Sequence, residues 1–134
     1  MNCLLDVSLL IACGWISHNE HARASKWLDH QPQFATSPGV QMGFLRVSMS
    51  PGYGATYEEA RKILSLITGL PSHRFLKDST GAKQLPENLS SRHDISDAHL
   101  VSLARSHQLK FATLDDILCR KLWAEGIAVN PLGR

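Results

Sequence analysis

With 134 residues, 43% of them hydrophobic, the chain has the length and apolar content of one domain that buries its own core. A formal net charge of +2 excludes a global electrostatic attraction to polyanions, so any basic footprint has to be local. No stretch approaches the ~20 apolar residues of a membrane span, and the opening apolar stretch, Cys3 to Ile16, carries Asp6 and lacks a basic leader, which argues against a signal peptide. A soluble, cytoplasmic protein with no membrane association is expected.

Asn2 to Leu5 is a short apolar run stopping at Asp6, as for a buried strand whose carboxyl end reaches the edge of a sheet. From His21 to His30, Ala24, Trp27 and Leu28 recur at helical spacing with Arg23 and Lys26 outside. Phe34-Ala35 is a short strand. Pro38 opens a second helix with Val40, Gly43, Phe44 and Val47 inward, ending near Pro51. Pro51 to Gly54 is a loop, and Ala60, Ile63, Leu64 and Ile67 mark the next helix, stopped by Gly69 and Pro71.

His73 to Leu76 forms another strand, and Lys77 to Arg92, rich in Ser, Asn and Gly, a loop with at most a helical turn. Ser96 to His107 is a helix with Leu100, Val101 and Ala104 inward, Leu109 to Thr113 a strand, Asp116 to Glu125 a helix closed by Gly126, and Ile127 to Val129 a last strand. Short strands alternating with helices predict an α/β fold of three layers: a central parallel sheet of four to five short strands with helices on both faces. No repeat or linker divides the chain, so one domain over residues 1–134 is expected.

In open parallel sheets, ligands collect outside the carboxyl ends of the strands. Asp6 and Asp115 each follow a strand, and Asp97 lies in the first turn of a helix that starts on the same side. Each has an ordinary reading as well: Asp6 as a strand-end turn residue, Asp97 as a dipole partner, Asp115 or Asp116 as an N-cap. Together they form a carboxylate cluster, whose repulsion a divalent cation would relieve. Oxygen-only ligands favour Mg²⁺ or Mn²⁺, and phosphodiester hydrolysis by a metal-activated water is the chemistry such a site performs.

Asp116, one position on, is expected to be the N-cap of its helix, with a secondary place in the site, and Asp94 to cap the helix before it. Arg46, Arg74 and Arg92, with Lys77, are candidates for holding the phosphates of a polyanionic substrate beside such a site. The histidines and the three cysteines, Cys3, Cys13 and Cys119, reproduce no zinc spacing; the thiols are expected buried and reduced, and most histidines to lie on surfaces and loops. Trp15, Trp27 and Trp123 sit in apolar helical segments and are expected in core or dimer contacts.

Four segments resemble those of PIN-domain proteins, and VapC-type toxins in particular. They are Leu4-Leu5-Asp6-Val7-Ser8-Leu9-Leu10-Ile11-Ala12, Ala35-Thr36-Ser37-Pro38 continuing to Gly43-Phe44-Leu45-Arg46-Val47, Ile95-Ser96-Asp97-Ala98-His99-Leu100, and Phe111-Ala112-Thr113-Leu114-Asp115. The resemblance implies a PIN fold and a Mg²⁺- or Mn²⁺-dependent endoribonuclease, the toxin of a toxin–antitoxin pair. It further implies an RNA substrate, a homodimer, and a cognate antitoxin whose tail occupies the acidic groove.

Asp6, Asp97 and Asp115 match the family's metal-binding acids. The acid usual in the second segment aligns with Gln41, and the asparagine often found two residues after the first aspartate aligns with Ser8. Gln41 can orient a water or ligate weakly through its carbonyl but brings no charge. The rival reading is therefore a non-catalytic PIN-like module that binds RNA or a protein through a weakened metal site. A receiver or phosphatase on a similar sheet lacks its second aspartate.

Overall fold

The computed structural model describes residues 2–133. Five parallel strands, β1 (Cys3–Leu5), β2 (Phe34–Thr36), β3 (His73–Phe75), β4 (Lys110–Ala112) and β5 (Ala128–Val129), lie in the order β3-β2-β1-β4-β5. Leu4 of the central strand pairs with Ala35 on one side and Phe111 on the other. Six α-helices accompany them: α1 (Val7–Gly14), α2 (His21–Asp29), α3 (Pro38–Ser48), α4 (Tyr57–Thr68), α5 (Ile95–Ser106) and α6 (Asp116–Cys119).

The chain moves outward from β1 to β2 to β3 through α1 to α4, then returns across the sheet through α5 to β4 and β5. Right-handed crossovers in opposite directions put the two sets of helices on opposite faces. Accordingly α1 packs against α2, α3 and α4, while α5 packs on β4. The strand order reverses between β1 and β4, which opens a crevice at their carboxyl ends. The expected layered α/β architecture is the one observed.

Both faces of the central strands are covered, so β1 reads as an uninterrupted apolar run; Leu4, Leu5, Leu9, Leu10, Phe34, Phe44 and Phe111 are all fully buried. Each contributes about 1.5–3 kcal/mol of apolar transfer free energy relative to exposure. The tryptophans pack partly buried against this core. Caps fix the helix starts: Ser37 accepts from Val40 N ahead of Pro38, and Thr56 and Glu59 form a reciprocal capping box on α4. Gly43 lets α3 approach the start of α1, because a Cβ there would stand 2.6 Å from Val7 Cγ2.

The expected helix over Asp116 to Glu125 breaks in two: α6 ends at Cys119 and a 3₁₀ turn covers Leu122–Ala124. Leu118 and Ala124 are both buried, and six residues of continuous α-helix would set them about 120° apart around the axis. The break at Lys121, in extended conformation, lets both reach the core. Gly126, at φ +79°, then reverses the chain into β5. The polar segment after β3 is loop with 3₁₀ turns at Ala82–Gln84 and Arg92–Asp94.

Candidate functional site

Asp6 leaves β1 while still in the sheet, its N–H donating to Ala112 O at 2.8 Å. It is the N-cap of α1, and its carboxylate is heavily committed: Oδ1 accepts from Val7 N at 2.7 Å, and Oδ2 from Thr113 Oγ1 at 2.6 Å and Ser8 Oγ at 3.4 Å. Only 8% of the residue is exposed. Burial pushes its carboxyl above the ordinary range, against the pull of the Thr113, Val7 and Ser8 hydrogen bonds, and the Asp115 charge pushes the same way as burial.

The ends of β1 and β4 are tied together here. Thr113 Oγ1 accepts from Asp115 N at 3.1 Å while donating to Asp6, and Ser8 Oγ accepts from Leu114 N at 3.2 Å. Ser8, standing where the family pattern often has asparagine, thus fixes the loop that carries Asp115.

Asp97 projects from the first turn of α5, as expected from sequence. It lines a cavity of about 300 Å³ together with Asp6, Val7, Arg46, Ser96 and His99, floored by Gly39, Gly43 and Leu100. Burial, reinforced by the charges of Asp6, Asp115 and Asp94, raises the Asp97 carboxyl to about 6.

Asp115 is exposed and outside that lining. Its Oδ1 accepts from Leu118 N at 3.0 Å, so Asp115, and not Asp116, is the N-cap of α6. The reason is its extended backbone (φ −87°, ψ 98°), whereas Asp116 is already in the first turn, where Asn130 Nδ2 donates to its Oδ1 at 3.0 Å. Asp94 stands at the N-cap position of α5 without a side-chain cap bond, 3.9 Å from Lys121 Nζ.

Of the basic candidates only Arg46 borders the cavity, and among the described residues it makes no ion pair. Arg92 is exposed in the 3₁₀ turn leading into α5. Arg74 reaches Gln33 Oε1 at 3.4 Å and shares a small apolar pocket with Asn2, Gln33 and Leu109, which precede their strands. It therefore faces the amino end of the sheet, opposite the crevice. Gln41 is absent from the cavity lining: its Nε2 donates to Thr36 Oγ1 at 3.0 Å, and that hydroxyl meets His73 Nε2 at 2.7 Å.

His99 lines the same cavity, whereas most histidines were expected on surfaces and loops. Its Nε2 lies 2.8 Å from Asp78 Oδ2, and Asp78 Oδ1 accepts from Thr80 N at 2.9 Å. The spacing of Ser96, His99 and Leu100 at i, i+3 and i+4 is the one legible signal that these residues share a helix face. Thr113 was missed as well, because a threonine at a strand end carries no pattern of its own.

The donors fit a hard divalent cation. They are carboxylate oxygens, and the Asp97 carboxyl is raised first by burial and then by the neighbouring acids, whose repulsion a cation would relieve. Among the described residues no three His, Cys, Asp or Glu side chains are gathered closely enough to hold a metal ion; Asp6 and Asp97, which line one cavity, could offer one or two carboxylates to an ion that keeps most of its waters.

A parallel α/β domain with aspartates gathered at its topological switch point is the architecture of a PIN-like protein. The PIN domain family model matches residues 3–122, and the chain belongs to that family, in its VapC branch. It is 34% identical over 119 residues to Ribonuclease VapC38 of Mycobacterium tuberculosis, covering 84% of each chain. With Ribonuclease VapC39 of the same species it shares 31% identity over 127 residues, 88% of this chain and 91% of the relative. The fold also matches the crystal structure of M. tuberculosis VapC20, described as a sarcin–ricin loop cleaving toxin, with a TM-score of 0.61 at 16% identity over 87% of this chain and 92% of that one.

Proposed function

We propose that the chain is a metal-dependent endoribonuclease, the toxin of a type II toxin–antitoxin pair, that hydrolyses RNA phosphodiester bonds at the crevice between β1 and β4. The observation that carries the reading is the convergence of Asp6 and Asp97 on one cavity with Arg46 at its border, in a chain whose curated relatives are named ribonucleases. Bound Mg²⁺ or Mn²⁺ supplies Lewis-acid polarisation of a phosphoryl oxygen and a water of lowered pKa.

The protein's own contribution is positional and electrostatic. Asp6, immobilised by Val7, Ser8 and Thr113, offers a fixed carboxylate, and Asp97 lines the same cavity. Asp115 adds negative field from the border of the crevice, and its capping bond keeps it there. Arg46 holds a phosphate beside the acids, as a guanidinium does in bidentate fashion, and Arg92 extends the same path. In this reading the protein works in the cytoplasm as a homodimer and is silenced by its cognate antitoxin.

Purified protein incubated with mixed structured RNAs and Mg²⁺ or Mn²⁺ is expected to cleave them, and Asp6→Asn to abolish cleavage. Undiminished cleavage by Asp6→Asn overturns the assignment. Gln41, bonded to Thr36 in place of the missing acid, favours one second reading, a non-catalytic RNA- or protein-binding module. That module takes up no Mn²⁺ in a calorimetric titration.

A further inference from the structure

We propose that the groove between α2 and the C-terminal segment Pro131–Leu132 is a second contact for the RNA strand, in which one base packs against Trp27 and Lys26 holds a neighbouring phosphate. The inference rests on the endoribonuclease reading and deepens it, by naming where the strand is gripped away from the cleaved bond.

The groove measures about 500 Å³ and is lined by Arg23, Lys26 and Trp27 of α2, by His30 at its C-cap, and by Pro131 and Leu132. The α2 positions stand at i, i+3, i+4 and i+7, so one helix face supplies them all. No carboxylate belongs to the lining. Arg23 is held in place: its Nη1 donates to both Glu20 carboxylate oxygens at 3.1 Å and its Nη2 to Leu132 O, which ties the C-terminal segment to the helix. Lys26 is exposed and makes no ion pair among the described residues.

Trp15 and Trp27 are both half-buried, but their polar ends differ. Trp15 Nε1 donates to Ser48 Oγ at 2.8 Å, whereas the Trp27 indole N–H has no hydrogen-bond partner among the described residues. An aromatic ring with a free donor beside an unpaired cation is the combination on which single-stranded nucleic acid packs. An acidic peptide would match the cation alone; a nucleotide matches the indole as well.

The groove lies at the same end of the sheet as the crevice. Pro131 and Leu132 follow β5 at its carboxyl end, and Asn130 before them donates to Asp116 Oδ1, one residue from Asp115. β5 stands two strand spacings from β1, about 10 Å across the sheet, so one short single strand can occupy both places.

The test is fluorescence anisotropy of the full chain in EDTA, where turnover is stopped, with a single-stranded RNA oligonucleotide and a series lacking one base at each position in turn. The native protein is expected to lose about tenfold in affinity at one position of the series, the effect of one base stacked on an aromatic ring. Trp27→Leu is expected to bind the intact oligonucleotide about tenfold more weakly and to be indifferent to that position. Lys26→Gln should keep the base-deletion profile and make the dependence of log Kd on log salt shallower by about 0.7, the loss of one phosphate contact. It carries the test if Trp27→Leu does not fold.

A folded Trp27→Leu chain that binds as the native one does, or that keeps its base-deletion profile, overturns the proposal, as does an unchanged salt slope in Lys26→Gln. A polyglutamate peptide bound in a Trp27-dependent way, with no such dependence for RNA, marks a protein-docking groove and overturns it too. Cleavage of RNA by the native protein in Mg²⁺ or Mn²⁺ alongside any of these results leaves the endoribonuclease reading standing and removes only the groove. A native chain that neither binds nor cleaves RNA removes both.

Discussion

Replacing Asp97 by asparagine should stabilise the metal-free protein at neutral pH. The Asp97 carboxyl is raised from 3.8 to about 6 by burial and by the charges of Asp6, Asp115 and Asp94, so the native state holds its proton more tightly than the unfolded chain. Between those values the native state binds more protons, and stability falls as pH rises. The contribution is fully present below about pH 4 and is lost as pH rises through about 6. Taken at full weight the shift is worth about 3 kcal/mol, and because Asp97 is only partly buried, solvent screening reduces this to about 1–2 kcal/mol.

Urea denaturation in EDTA should therefore show Asp97→Asn and native protein alike near pH 4, with the variant more stable by that amount at pH 7.5. Saturating Mn²⁺ should invert the order. At a hundred times its Kd the ion adds about 2.7 kcal/mol to the native chain, and much less to a variant lacking one of its two close carboxylates. A variant less stable than native at pH 7.5 in EDTA, or a difference independent of pH, would refute the reasoning.

Gly43→Ala should cost about 1–3 kcal/mol in a urea or thermal melt, since its Cβ would overlap Val7 Cγ2 at 2.6 Å, and pairing it with Val7→Ala should recover most of the loss. Thr113→Val removes the donor to Asp6 and the acceptor for Asp115 N; a loss of about 1–3 kcal/mol in stability is expected, with weaker Mn²⁺ uptake by calorimetry. Cys3 and Cys13, whose thiols burial pushes up to about 12, should stay unreactive toward a thiol reagent at pH 8 until the protein unfolds, while the half-buried Cys119 reacts first.

What the sequence determined by itself was everything that local spacing encodes. The apolar run before Asp6, the i, i+3, i+4 pattern of Ala60, Ile63, Leu64 and Ile67, and Pro38 as a first helical residue each specify an element through burial or backbone geometry, and alternation of those elements specifies a parallel sheet. Asp6 and Asp97 were legible because position after a strand or in a first helical turn fixes which end of the sheet a side chain occupies.

The broken α6 was not legible, since helical spacing cannot say that Leu118 and Ala124 must reach one core. Nor was the partition among the acids, which depends on which N–H each carboxylate finds: Asp115 takes Leu118, Asp116 takes Asn130, and only Asp6 and Asp97 face the cavity. Arg74 went to the far end of the sheet because its place within β3 aims it at Gln33. The Asp78–His99 pair joins a loop to a helix 21 positions further along the chain, and side chains that meet only through the fold leave no periodic trace in the chain.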